Sequence, residues 1–164
     1  MYLSFNNNIY FLKIFLFSIV AILMQIYVPK IWLMQDFSIG IDFFLIFLTF
    51  LVFLDEAYII IFLAFLFGLF QDFVVHYEML GFYAFLKSVS VYLISYSRKF
   101  NHLWPKKIRL FSVFLIYFVH FFIYLIVLLN YNYFVILCGS IIQSFICFIL
   151  FYFIEKVFYN SKLI

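Results

Sequence analysis

Six apolar runs follow one another with only short breaks between them, and this spacing constrains the fold more than any motif does. They cover about 9–28, 39–54, 57–75, 80–97, 109–129 and 134–154. A helix needs roughly 20 apolar residues to cross the hydrocarbon core of a bilayer, and all but one of the runs reach or approach that length. The run over 39–54 is the shortest and carries Asp42. The breaks read PKIWLMQDFS, DE, HYEM, a basic stretch and NYNY. They leave no room for a soluble domain, and they force neighbouring helices to run antiparallel. With 70% hydrophobic and 10% charged residues, the chain is far from the roughly 25% charged content of a soluble domain. A mean hydropathy of +1.24 says the same. These numbers predict a single all-α membrane domain over 1–164 with six transmembrane helices. The first run lacks a small-x-small cleavage site and is expected to be retained as a span.

Orientation follows from the distribution of Lys and Arg in the short loops. Arg98, Lys99, Lys106, Lys107 and Arg109 crowd the loop over 98–109, and Lys13, Lys156 and Lys162 fall on the same side if six helices alternate. Only Lys30 lies opposite, and Lys87 is inside the fourth run. Both termini are therefore expected in the cytoplasm. The basic loop suits either topology control with attraction to anionic headgroups or docking of a cytoplasmic partner. Its charge says nothing of nucleic acid, because it lies beside apolar segments.

Helices in lipid gain nothing hydrophobically by touching, so they associate through small residues and shared polar groups. Ala64, Gly68 and Asp72 stand at four-residue spacing on one face of the third run. The fourth run offers Gly81, Ala84, Ser88 and Ser95, and the sixth Ser140, Gln143, Ser144 and Cys147. Ser18, Ala21 and Gln25 mark the first run, Asp42 and Thr49 the second. At the helical rise, Asp42 and Asp72 fall within ~5 Å of the outer interface, and Lys87 ~10–12 Å below it. A charge at the bilayer centre costs ~2.5–3.5 kcal/mol on insertion scales. Pairing lowers that cost, so the three are expected to form an Asp42–Asp72–Lys87 cluster between runs two, three and four.

Catalytic patterns are sparse. An intramembrane aspartyl protease needs two aspartates sharing a proton, and Lys87 nearby would hold both ionised. The glycine-x-glycine-aspartate signature of such proteases and the Gly-x-Ser-x-Gly elbow are both missing. No Ser/His pair is expected at matched depth. His76, His102 and His120 lack zinc-ligand spacing. Cys138 and Cys147 are ~13 Å apart along one helix, too far for a disulfide. No enzyme activity, metal or cofactor is expected.

Between Gly40 and Ser97 the chain resembles the rod shape-determining MreD family of small bacterial inner-membrane proteins. The residues that carry the resemblance are "GIDFFLIFLTFLVF", a short acidic turn, "FLFGLFQDFV", and "LGFYAFLKSVSVYLISYSRK". In that family an aspartate opens the second span, a Gly-Leu-x-x-Asp segment closes the next, and a Leu-Gly begins the one after. Asp42, Gly68, Asp72 and Gly81 fall on those positions, and Ile41 stands where the family often has proline. The resemblance implies a non-enzymatic scaffold of the wall-elongation machinery. Its implied partners are a single-span MreC-like protein, the MreB filament, and a peptidoglycan polymerase with its transpeptidase. It also implies a bundle similar to the substrate-binding subunits of energy-coupling-factor transporters, so a vitamin-like binding subunit is the alternative. On the scaffold reading Gly68 and Gly81 permit close backbone approach, within the chain or toward a partner. Asp42 and Asp72 fix helix positions or contact a ligand, and Lys87 neutralises them. An outer groove near runs two to four would receive the partner's helix.

Overall fold

The computed structural model describes residues 7–29, 31–34, 37–54, 56–75, 79–100, 103–128 and 132–160. His76, His102, Lys30 and Lys162 lie outside the described residues. Among the described residues the elements are α1 (Asn7–Tyr27), β1 (Ile31–Met34), β2 (Phe37–Ile39), α2 (Phe43–Val52), α3 (Ala57–Val75), α4 (Phe82–Lys99), α5 (Lys106–Leu128) and α6 (Tyr133–Asn160). The body is helical, as the composition predicts. Stretches in α3 (Ala57–Val74), α5 (Lys106–Val127) and α6 (Tyr133–Val157) are long and apolar enough to cross a membrane. α4 is more polar, because it carries Lys87 and a series of serines.

Two features depart from the expected helix over 39–54. β1 and β2 pair antiparallel, with Ile31 opposite Ile39 and Trp32 opposite Ser38, so Ile39 belongs to a strand and the break read as a plain connection carries a small sheet. Only after it does α2 begin, and its 10 residues span ~15 Å, about half of a ~30 Å hydrocarbon core. Eight of those ten residues are buried. A helix that is apolar all round belongs inside other protein, and α2 packs against α1, α3, α4 and α6. Phe44, Leu45, Leu48 and Val52 of α2 form the centre of the apolar core. Phe44 stacks on Phe67 of α3, with ring centroids 5.0 Å apart.

α3 and α4 cross in direct backbone contact. A methyl placed on Gly68 would lie 2.3 Å from Ala84 Cα and 2.6 Å from its nitrogen, so the two backbones touch. Ala64, one turn away, is buried, as is Ala84 opposite. Gly81 plays a different part from the close approach expected of it. A Cβ there would meet nothing within 4 Å, but its φ of +94° is left-handed. It starts α4 with a backbone turn that other residues resist. The outward faces of α3, α4, α5 and α6 carry exposed Phe62, Phe73, Phe85, Phe111 and Phe145, the surface a lipid-facing bundle needs.

These two glycines should fail differently. Gly68→Val is expected to push α3 off α4 and lower stability by ~1–3 kcal/mol, as overpacking does. Gly81→Ala should cost ~1–2 kcal/mol through the left-handed backbone alone. Thermal unfolding of the detergent-purified protein checks both, and cross-linking between α3 and α4 should change only for Gly68→Val.

Candidate functional site

The polar residues of the bundle gather at the sheet end, where α2 and α4 begin and α3 finishes. Asp42 precedes α2 and acts as its N-cap, its Oδ1 accepting from Leu45 N at 3.0 Å. A carboxylate there satisfies an orphan donor and faces the positive end of the helix dipole. Lys87, one and a half turns into α4, donates through Nζ to Asp42 Oδ2 and forms an ion pair with it. Lys87 is fully buried (0% exposed). Its ammonium also lies 5.6 Å from the Phe44 ring centroid and 5.7 Å from that of Tyr83. Its long chain thus ends on a carboxylate inside the bundle.

Asp72 takes a separate role, which corrects the expected three-membered cluster. Its Oδ2 accepts from Gly81 N at 3.0 Å and Ala84 N at 3.2 Å, and its Oδ1 from Tyr83 N at 2.9 Å. A carboxylate at the end of α3 therefore caps the start of α4, using charge-assisted bonds to donors that a helix leaves open. The four-residue row on α3 is what brings it there, because Gly68 lets α4 approach closely enough. So the carboxylates divide: Asp42 pairs with the cation, and Asp72 satisfies backbone.

Other polar groups hold the start of α2 in place. Gln25 Oε1 of α1 accepts from Phe43 N at 2.8 Å. Gln143 Nε2 of α6 donates to Gly40 O at 2.6 Å. Deeper in, Tyr117 of α5 donates to Thr49 Oγ1 at 2.8 Å.

A Ser/His pair, which the sequence did not lead one to expect, does exist. Ser90 Oγ of α4 lies 2.8 Å from His120 Nδ1 of α5, and also 2.8 Å from Leu86 O. His120 Nε2 is 4.0 Å from Asp42 Oδ2, beyond hydrogen-bond reach, and has no partner among the described residues. The order serine, histidine, aspartate invites comparison with a hydrolytic triad. Ser90 is buried, however, and Asp42 is already engaged by Lys87 and Leu45. The line therefore offers no accessible nucleophile. Signals for it were present in the sequence only as residue types, since α4 and α5 have to be rotated correctly before Ser90 meets His120.

No family model, curated protein or solved structure matches this chain.

The basic group expected to form an open loop is built into helix ends. Arg98 and Lys99 close α4, and Lys106, Lys107 and Arg109 open α5. Arg98 donates to Val52 O, so it meets the last carbonyls of α2, where the dipole favours a cation. Lys106 Nζ lies 3.4 Å and Arg109 Nη2 3.3 Å from Glu155 Oε1 of α6. Three cations in the first turn of α5 oppose its dipole, and Glu155 offsets two of them. Lys99 and Lys107 remain exposed.

Removing one member of the buried pair should leave an uncompensated charge, at a cost of about 3–5 kcal/mol. Lys87→Met and Asp42→Asn are each expected to lower the yield and melting temperature of the folded protein sharply. The double variant should recover much of the loss, and a double-mutant cycle on melting temperatures measures that coupling. If the single variants melt like the wild type, the pair does not hold α2 to α4.

Proposed function

We propose that the chain is a non-enzymatic scaffold in the inner membrane of a bacterium, in the manner of the MreD family it resembles. It would couple an MreC-like single-span protein, an MreB-like filament and the peptidoglycan polymerase and transpeptidase to keep cells rod-shaped. All six helices then lie in the membrane with both termini in the cytoplasm. α2 contributes only a half-length crossing.

One observation supports this reading above the others. The four residues that carry the resemblance, Asp42, Gly68, Asp72 and Gly81, are spent on joining α2, α3 and α4. A scaffold needs such residues to fix relative helix positions, so that an outer face is presented unchanged to a partner. That face, on α3 and α4, carries Phe62, Phe65, Phe85 and Tyr92 to the outside. It would receive the partner's transmembrane helix by surface packing. At the opposite end Lys99 and Lys107 are the cations best placed to meet filament or anionic lipid.

A second reading, a small-molecule binding subunit of a transporter, is favoured by the cavity discussed below. The two make different predictions in cells. Depletion of the protein should turn rods into spheres, and an affinity-tagged copy should recover a single-span protein with a coiled-coil outer segment. Cells that keep their width after depletion would overturn the scaffold reading.

A further inference from the structure

At the sheet end, α1, β2 and the other five helices surround a cavity of about 370 Å³. That is near the lower end of the ~300–1,000 Å³ range of small-molecule sites. Gln71 of α3 and Gln143 of α6 approach it from different helices and are 6% and 5% exposed. The side-chain oxygens of both are buried and have no hydrogen-bond partner among the described residues. An unsatisfied buried acceptor is costly, so each needs a donor from something that occupies the space. Rotating the amide of Gln143 does not remove the need, because its Nε2 is committed to Gly40 O at 2.6 Å.

The rest of the wall narrows the class of occupant. Phe44 and Phe70 meet edge to face with centroids 6.2 Å apart, and Phe121 adds a further apolar surface. The carboxylate in the wall, Asp42, is already matched by Lys87 and by Leu45 N. Among the described residues, an ionised ligand would find no uncommitted counter-charge to offset its desolvation. We infer that this cavity binds a small uncharged molecule whose N–H or O–H groups donate to Gln71 and Gln143 while an apolar frame rests on Phe44, Phe70 and Phe121. The inference goes beyond the scaffold reading and is independent of it, since binding is measured on the purified chain and cell shape is not.

The test uses the full chain in lipid nanodiscs and equilibrium binding of labelled phenylurea and benzamide, both neutral aryl compounds with amide donors. At least one should bind saturably, with one site per chain. Benzoate, benzylammonium and ethylbenzene should compete at least tenfold more weakly. Gln71→Leu should weaken binding at least tenfold while melting at or above the wild-type temperature, because it removes an acceptor that lacks a donor. A purely structural Gln71 would instead lower the melting temperature and leave affinity unchanged. Should Gln71→Leu fail to fold, Gln71→Met and the ranking of competitors on the wild type decide the matter. The proposal is overturned if neither amide binds saturably, which would mean that water alone fills the cavity. It is also overturned if ethylbenzene competes as well as phenylurea, or if the folded variant binds like the wild type.

Discussion

An ammonium group surrounded by Phe and Leu has almost no affordable position, and the one it takes here organises its neighbours. Lys87 reaches Asp42, and Asp42 is at once its counter-ion and the cap of α2. The same carboxylate therefore ties together two helices and starts one of them. Because both ions are buried, the strength of their attraction depends on every nearby group that excludes water and lipid. Phe44 and Tyr83, whose rings both lie near the ammonium, do so. Displacing α2 would strand both charges, so the central helix is held by electrostatics as well as by packing.

Asp72 applies the same economy at the next joint. Three backbone donors at the beginning of α4 would otherwise be left without a partner in the bundle, each at a cost comparable to a lost hydrogen bond. Supplying the acceptor from α3 makes the end of one helix complete the start of another. This works only because Gly68 removes the side chain that would separate them. Packing and polar satisfaction are thus one arrangement at this crossing. Arg98 on Val52 O and Glu155 between Lys106 and Arg109 repeat the principle at the other end.

Helix number, the small-residue seams of α3 and α6, and the meeting of Asp42 with Lys87 could all be read from spacing and from the cost of bare charge in lipid. The pairing of β1 with β2 could not, because two strands of four and three residues leave no periodicity long enough to recognise. The true length of α2 was hidden for the same reason. Asp72 looked like a member of a charge cluster because its spacing fixes a helix face but not which donors lie across from it. Ser90 and His120 belong to different helices, and their contact depends on how each is rotated. Glu155 is 46 residues from Arg109, so its role in taming the basic helix ends needed the α5–α6 pairing.

The brevity of α2 bears on how the protein is made. A ten-residue apolar segment is too short to partition stably into a bilayer by itself, and its leading carboxylate opposes entry. The counter-ion that relieves that opposition is 45 residues further along the chain. In a bilayer, α2 would therefore gain its counter-ion only once α4 has been made. For a chain inserted into a bilayer, neutralisation of Asp42 would then be a late, intramolecular step that insertion helix by helix could not supply.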